Sequence, residues 1–264
     1  MAEPAAGGVS DRPVGAASDR PADGAAGRTV VVTAASRGIG RGIATRLTED
    51  GYTVVSLDRD APSALLPREV FIRVDLADPA ATAAALAEAV EGHAPTRLVN
   101  NAGVVRPGPL EDVTWEDLQA VVSLNLRCSI QCAQALLPEM KAAGFGRIVN
   151  ISSRAALGKE LRTVYAATKA GLHGITKTWA LELAAHGITV NAVGPGPIGT
   201  ELFHAVNPAG SPRTQAIVDG VPVKRLGTPA DIAHAAAFLL DERAGFVTGQ
   251  VLYVCGGMTV GLAS

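Results

Sequence analysis

The 264-residue sequence has little of what marks nucleic-acid-binding, secreted or metal-binding proteins. Its net charge is only −2 and its pI is near 6.2, which gives no basic surface for nucleic acid or an anionic membrane. Its three cysteines are too few and too irregularly spaced for a disulfide framework or a zinc site, and its five histidines match no metal spacing. We expect no nucleic-acid or membrane partner, no metal, and a reducing, cytoplasmic location.

Aromatic residues are also scarce, at 4% of the chain, although 48% of the chain is hydrophobic. The core must therefore consist mainly of Ala, Val, Leu and Ile, which is typical of a parallel sheet covered by helices. Residues 1–27 contain no apolar run, so they predict neither a signal peptide nor an anchor. Their Ala, Gly and repeated Ser-Asp-Arg-Pro composition predicts a disordered tail, followed by one domain over residues 28–264.

From Arg28 onward, short apolar runs alternate with amphipathic segments. This alternation predicts an α/β fold, a Rossmann-like doubly wound parallel sheet of seven strands flanked by helices. The predicted strands are Thr29–Thr33, Thr53–Leu57, Val70–Val74, Arg97–Asn100, Arg147–Ile151, Thr189–Ala192 and Val251–Val254. The predicted helices are Gly38–Asp50, Pro79–Glu91, Trp115–Ala142 with a break near Asn125, Val164–Ala185 and Pro229–Leu240. Too few residues separate Asp58 from Asp75 for a full crossover helix, so we expect an abbreviated connection there.

A glycine-rich turn, Thr33–Gly40 (TAASRGIG), lies between the first strand and the first helix. Glycines there let the backbone approach a pyrophosphate, whose charge then lies at the helix N-terminus. At the end of the second strand, Asp58 can accept both hydroxyls of an adenosine ribose and repel a 2′-phosphate, which favours NAD over NADP. Arg37 and Arg59 favour the opposite choice if they pair with that phosphate, so NADP remains possible.

Tyr165 and Lys169 lie four residues apart in a predicted helix, so their side chains leave the same face one turn apart. A free tyrosine has a pKa of about 10, and a nearby ammonium favours the phenolate and lowers that value. The phenol can then act as an acid and a base near neutral pH. The spacing alone is weak evidence, since it occurs on many solvated helices.

Several motifs in combination make the chain resemble the short-chain dehydrogenase/reductase family over about Arg28 to Val260. They are the glycine-rich turn, Asn100–Gly103 after the fourth strand, Asn125, Ser152-Ser153 after the fifth strand, the Tyr165/Lys169 pair, and Pro195–Thr200 after the sixth strand.

This resemblance implies a proton relay. Tyr165 would be the acid and base on the substrate oxygen, and Ser153 would hydrogen-bond that oxygen. Lys169 would lower the tyrosine pKa and bind the nicotinamide ribose. Asn125 would hold a water. The resemblance also implies a set of coenzyme-binding residues: Thr33, Ser36, Arg37, Gly38, Ile39, Gly40, Asp58, Asp75, Leu76, Asn101, Ala102, Gly103, Tyr165, Lys169, Pro195, Gly196, Ile198 and Thr200.

The sequence leaves open which of two adjacent serines acts. The common family spacing of thirteen residues before Tyr165 falls on Ser152, whereas the position in the strand beginning at Arg147 falls on Ser153. We favour Ser153, which requires a one-residue deletion in the loop Ala155–Val164.

Two positions depart from the family pattern. Ala34 replaces the usual first glycine of the turn, so its φ must be negative or its conformation strained by about 1 kcal/mol. Cys255 replaces a frequent Asp, which we expect to alter packing more than chemistry.

The resemblance predicts an NAD-dependent secondary alcohol dehydrogenase or ketoreductase, assembled as a homotetramer or homodimer. One alternative is an NADPH-dependent 3-oxoacyl-carrier-protein reductase. Arginines that dock the carrier in such enzymes would fall at Gly144 and His186, which disfavours it. A non-catalytic nucleotide-sensing regulator is a further alternative, although it would not need the intact tyrosine, lysine, serine and asparagine. Arg106, Arg154 and Arg162 flank the predicted pocket and either contact an anionic substrate or are ordinary surface residues.

Overall fold

The computed structural model describes residues 28–260, which contain a seven-stranded sheet between two layers of helices. All strand pairs are parallel, and the spatial order is β3-β2-β1-β4-β5-β6-β7. The strands are β1 Thr29–Thr33, β2 Thr53–Asp58, β3 Glu69–Arg73, β4 Arg97–Asn100, β5 Gly146–Ile151, β6 Ile188–Pro195 and β7 Val251–Val254. The predicted doubly wound sheet is therefore confirmed, and its chain order reverses between β1 and β4, where open α/β sheets bind ligands.

Eight α-helices connect the strands: α1 Gly38–Glu49, α2 Pro79–His93, α3 Trp115–Val122, α4 Cys128–Ala143, α5 Thr163–Leu183, α6 Glu201–Val206, α7 Pro212–Asp219 and α8 Pro229–Leu240. One core joins the sheet to α1 and α8, with Ile43, Leu47 and Ile232 fully buried. A second core, on the opposite face, joins it to α2, α4 and α5. Helices α6 and α7 lie in a segment for which the sequence predicted no helix.

Helices α3 and α4 are continuous through a π-helical segment, Ser123–Arg127, at the predicted break near Asn125. This 29-residue helix, Trp115–Ala143, is long and apolar enough to cross a membrane by length and composition alone. Its buried side chains, including Cys132 and Leu136, nevertheless pack on the sheet within the second core, as those of a core helix do.

The connection between β2 and β3 contains no helix in the described chain, as predicted. It leaves β2 at Asp58 and enters β3 at Glu69. This short segment lies beside the start of α1. The Ala64 carbonyl accepts a hydrogen bond from Arg41 of α1, and the Asp60 carbonyl accepts from the Ser36 hydroxyl just before α1.

Candidate active site

The glycine-rich turn after β1 leaves no space for a side chain at Gly40 and has left-handed backbone at Ala34 and Gly38. A Cβ at Gly40 would lie 2.1 Å from the Ala34 carbonyl oxygen, so a side chain is excluded there. Gly38 has a φ of 57° and Ala34 a φ of 54°. Ala34 therefore adopts the strained alternative of the two that the sequence allowed, at a cost of about 1 kcal/mol.

Side chains from two strands hold this turn in place. Thr33 Oγ1 accepts hydrogen bonds of 2.9 Å from the backbone N–H groups of Asn101 and Ala102. Asn101 Nδ2 in turn donates to the carbonyl oxygens of Thr33 and Ala34, both at 3.0 Å. The predicted coenzyme residues after β1 and β4 thus form one connected structure at the carboxyl edge of the sheet.

The end of β2 contacts the same turn. Asp58 Oδ2 accepts a 3.0 Å hydrogen bond from the Ser36 N–H, and the Ser36 hydroxyl donates to the Asp60 carbonyl. Arg37 and Arg59 are exposed, and their nearest carboxylate is that of Asp60, at 4.0 and 3.6 Å. The predicted ribose carboxylate and both competing arginines therefore lie together around the same short segment.

The remaining predicted coenzyme residues also lie at this edge. Asp75 and Leu76 follow β3, and Leu76 is buried. The segment Pro195–Thr200 contains the last residue of β6 and the N-cap of α6, where Thr200 Oγ1 accepts from Phe203 N. A cleft of about 720 Å³ runs from the turn along α1, and its walls include Ser36, Arg37, Gly38, Asp60, Thr200 and Glu201.

The two candidate serines have different surroundings. Ser152 is buried, and its hydroxyl donates to the Lys169 carbonyl at 2.9 Å and pairs with His173 Nε2 at 2.7 Å. The Ser153 side chain instead acts on the Tyr165 phenol, whose pKa it lowers, and its hydroxyl accepts from Ala155 N at 3.0 Å. The role of Ser153 on the substrate oxygen stays a prediction.

Lys169 is fully enclosed, with its Nζ donating to the Ile151 carbonyl at 2.7 Å and lying 5.7 Å from the centroid of the Tyr165 ring. Burial lowers the pKa of Lys169 to about 8. Burial also raises the pKa of Tyr165 above its usual value, against smaller lowering effects from Ser153 and Arg162. The lowering of the tyrosine pKa by Lys169 stays a prediction.

Asn125 is fully buried in the π-helical segment, and both ends of its side chain are bonded to protein. Its Nδ2 donates to the Val104 carbonyl at 3.1 Å and to Thr168 Oγ1 at 3.0 Å, while its Oδ1 accepts from Val104 N at 2.8 Å. A Cβ at Gly103 would lie 3.2 Å from Asn125 Oδ1 and 3.4 Å from Lys169 Nζ. Asn125 thus fixes the loop beside Lys169, and its role as a water ligand stays a prediction.

Two further residues of α5 belong to this region. Thr168 bonds Asn125, and His173 bonds Ser152. Neither was predicted, because the only sequence signal was their position on the helix that contains Tyr165. Cys255, in contrast, is buried with its Sγ 3.4 Å from Thr259 Oγ1. Within residues 28–260, no group of three or more His, Cys, Asp and Glu side chains could hold a metal ion.

Comparison with known proteins places this site in a family. A family model described as enoyl-(acyl carrier protein) reductase matches residues 33–259. The chain is 37% identical to a (2S)-[(R)-hydroxy(phenyl)methyl]succinyl-CoA dehydrogenase subunit of Thauera aromatica, over 88% of this chain and 97% of that protein. It is 36% identical to a 3-oxoacyl-[acyl-carrier-protein] reductase of Staphylococcus epidermidis, over 88% of this chain and 98% of that protein.

A solved structure gives the same result. A blue fluorescent protein from a metagenomic library, in complex with NADPH, has a TM-score of 0.80 and 36% identity, covering 89% of this chain and 98% of its own. The family-model match, residues 33–259, contains the glycine-rich turn and the segment with Tyr165 and Lys169. The chain therefore belongs to the short-chain dehydrogenase/reductase family of NAD(P)-dependent oxidoreductases.

Proposed function

We propose that this protein interconverts a secondary alcohol and its ketone with a nicotinamide coenzyme. The observation that carries the proposal is the position of the buried Lys169 Nζ, 5.7 Å from the centroid of the Tyr165 ring, with Ser153 acting on the same phenol and lowering its pKa. A Cβ at Gly103 would lie 3.2 Å from Asn125 Oδ1 and 3.4 Å from Lys169 Nζ. Gly103 follows Asn101 and Ala102, whose N–H groups bond Thr33 at the glycine-rich turn. Tyr165 and Lys169 therefore lie close to that turn.

The residues present fit such a coenzyme. The turn at Gly38–Gly40 admits no side chain at Gly40 and opens α1, so a pyrophosphate can approach its N-terminus. The coenzyme supplies or accepts the hydride. In ketone reduction, Tyr165 donates its phenolic proton to the carbonyl oxygen while Ser153 donates a hydrogen bond to that oxygen. In alcohol oxidation, the proton and the hydride are transferred in the reverse direction. Lys169 holds the ribose and, when protonated, favours the phenolate.

We infer a preference for NAD within the established NAD(P) class. The side chains around the ribose end are two carboxylates, Asp58 and Asp60, and two guanidinium groups, Arg37 and Arg59. The formal charges of these four groups cancel, so the site has no net positive charge to attract a doubly charged 2′-phosphate. A ribose hydroxyl can instead donate a hydrogen bond to Asp58. The NADPH bound to the related blue fluorescent protein supports the opposite choice, which makes the coenzyme ratio the first quantity to measure.

For the substrate, we propose a small or medium ketone or alcohol that bears an anionic group. Arg154 and Arg162 are half-buried on either side of the loop that joins Ser153 to Tyr165. Within residues 28–260 neither forms an ion pair, so both are available to a carboxylate or phosphate. A carrier-bound 3-oxoacyl group remains the second candidate because of the reductase relative, although Gly144 and His186 supply no arginine at the expected docking positions.

We also propose a homotetramer or homodimer, formed through the α4 and α5 faces and the C-terminal strand. Large apolar side chains are exposed on this part of the protein, namely Leu181 on α5, Phe246 just before β7 and Leu252 in β7. Strand β7 is also an edge of the sheet, and edge strands are commonly covered.

The test of the proposed activity is a coenzyme-linked absorbance screen of secondary alcohols and ketones, with and without a carboxylate, using NAD and NADP in parallel. Tyr165→Phe is the control, because it removes the transferable proton and keeps the ring. We expect turnover by the parent and a loss of about 10²–10⁴-fold in the variant, with coenzyme still bound by both. Coenzyme binding without turnover of any substrate would favour the nucleotide-sensing alternative.

A further inference from the structure

A buried ion pair lies behind the ribose end of the coenzyme site. The Glu69 side chain has no exposed surface, and Arg41 Nη1 donates to both of its carboxylate oxygens at 2.8 Å. The Ser56 hydroxyl and the Leu66 N–H each donate a further 2.8 Å bond, one to each oxygen. Burial of an ionised carboxylate is costly unless an opposite charge and hydrogen bonds replace the water that it loses.

This pair joins the glycine-rich turn to the short connection between β2 and β3. Arg41 is the residue directly after Gly40, in the first turn of α1. Its Nη2 donates to the Ala64 carbonyl, and Glu69 holds the Leu66 N–H. The far end of residues 59–68 is therefore tied to α1 through the side chains of Arg41 and Glu69, while the Arg68 carbonyl accepts from Val54 N of β2 at 3.0 Å.

The near end of the same segment is fixed at the ribose site. The Asp58 carboxylate accepts from Ser36 N, and the Asp60 backbone carbonyl accepts from the Ser36 hydroxyl. Between these two attachments the segment has no helix and is mostly exposed, from Arg59 to Leu65. Its shape therefore depends on the attachments, because it has little packing of its own.

We propose that Arg41 and Glu69 are positioning residues that hold residues 59–68 in the conformation that presents Asp58 and Asp60 to the adenosine ribose. This inference rests on the proposed coenzyme site. Neither residue touches the predicted hydride or proton path, which lies at Ser153 and Tyr165. Loss of the pair should therefore weaken binding of the adenosine half of the coenzyme and leave the chemical step unchanged.

The test compares Glu69→Gln, which keeps the side-chain shape and removes the charge, with Asp50→Asn. Asp50 forms a half-exposed 2.8 Å pair with Arg46 at the end of the same helix, so it controls for the loss of any ion pair on α1. Three quantities are measured: the Kd of ADP-ribose by calorimetry, the rate of tryptic cleavage at Arg59 and Arg68, and kcat at saturating coenzyme.

We expect Glu69→Gln to raise the ADP-ribose Kd by roughly tenfold and to speed cleavage at Arg59 and Arg68, with kcat within about twofold of the parent. Asp50→Asn should leave all three unchanged. If Glu69→Gln does not fold, Ser56→Ala, which removes one of the four bonds to Glu69, should give a smaller shift in the same direction. An unchanged Kd, or a fall in kcat with an unchanged Kd, would overturn the positioning role. A parent that binds no ADP-ribose would instead overturn the proposed function.

Discussion

At the scale of single residues, the extended backbone that continues from β5 separates the surroundings of two adjacent serines. Successive side chains of an extended backbone point to opposite sides, and Ser153 has φ −166° and ψ 151°. Ser152 faces α5, where it bonds the Lys169 carbonyl and His173, and Ser153 acts on the Tyr165 phenol, whose pKa it lowers.

We predict that Ser153→Ala lowers kcat/KM by about 10²-fold or more, since it removes a hydrogen bond to the reacting oxygen. Ser152→Ala should cost much less activity, because it only loosens the contact between β5 and α5. Steady-state kinetics of both variants, with circular dichroism to check folding, decide the matter. A larger loss in Ser152→Ala would show that the deletion inferred in the loop lies elsewhere.

The pKa of Tyr165 gives a second residue-scale prediction. Burial raises this pKa above its usual value of about 10, so the coenzyme-free protein should contain no phenolate at neutral pH. Addition of NAD should lower the pKa, because the positively charged nicotinamide favours the phenolate. An ultraviolet difference titration of the parent against Tyr165→Phe measures both values. Phenolate at pH 7 without coenzyme would contradict the prediction.

The coenzyme preference can be tested at Asp58. Asp58→Ala removes a ribose acceptor that contributes about 1.5–3 kcal/mol per charge-assisted bond at most, and it relieves repulsion of a 2′-phosphate. We predict that the ratio of kcat/KM for NAD over NADP falls, because Arg37 and Arg59 then outnumber the remaining carboxylate, that of Asp60, at the ribose end.

Asp58→Asn is the matched control, since its amide oxygen can still accept from Ser36 N while the charge is lost. A shift in both variants would assign the preference to charge, and a shift in Asp58→Ala alone would assign it to the geometry of the turn. A parent that already prefers NADP would mean that the arginines govern the choice.

At the scale of helices and strands, the clearest sequence signals were those set by local patterns. All seven strands overlap the predicted ones. The five inner strands, β1, β2, β4, β5 and β6, are buried on both faces and therefore read as continuous apolar runs. Helices α6 and α7 were missed because they are short and almost wholly exposed, so no apolar stripe marks them. The enclosure of Lys169 and the pairing of Glu69 with Arg41 depend on distant segments, which no local pattern contains.

Helix α8 begins with a capping box that can be tested by pH. Asp231 accepts from Thr228 N at 2.7 Å and from Arg225, and the Arg225 guanidinium holds the pKa of Asp231 well below its usual range. A carboxyl whose folded-state pKa is lowered stabilises the fold above about pH 4, and that contribution is lost as the pH falls toward the folded-state value.

Asp231→Asn should therefore lower the free energy of unfolding at pH 7 by about 1 kcal/mol, and the difference from the parent should shrink below pH 4. Thermal unfolding of both proteins from pH 2 to 8 measures this. Asp219→Asn, whose carboxylate bonds the exposed Gln215 amide, serves as the control. A difference that stays constant across this range would show that Asp231 acts through helix capping without its charge.

At the scale of the whole molecule, the sheet brings the two halves of the site together. The turn after β1, the loop after β4 and the serines after β5 meet at one edge because parallel strands present their carboxyl ends on the same side. This topology made the location of the site predictable from motif order alone. The substrate pocket was not predictable, because it depends on α6, α7 and the loops around Arg154 and Arg162.

Exposed apolar side chains away from this edge lead to the last prediction. Leu181 on α5 is 85% exposed, and Phe246, just before β7, is fully exposed. Such side chains are costly in water when they cluster, and assembly between identical copies would bury them. We predict a dimer or tetramer by light scattering at micromolar concentration, with Leu181→Asp and Phe246→Asp each shifting it toward smaller species. Leu202→Asp changes another exposed leucine, on α6, and should leave the mass unchanged. A monomeric parent would contradict the proposed assembly, and an equal shift in Leu202→Asp would show that the effect is not specific to the α5 and β7 surfaces.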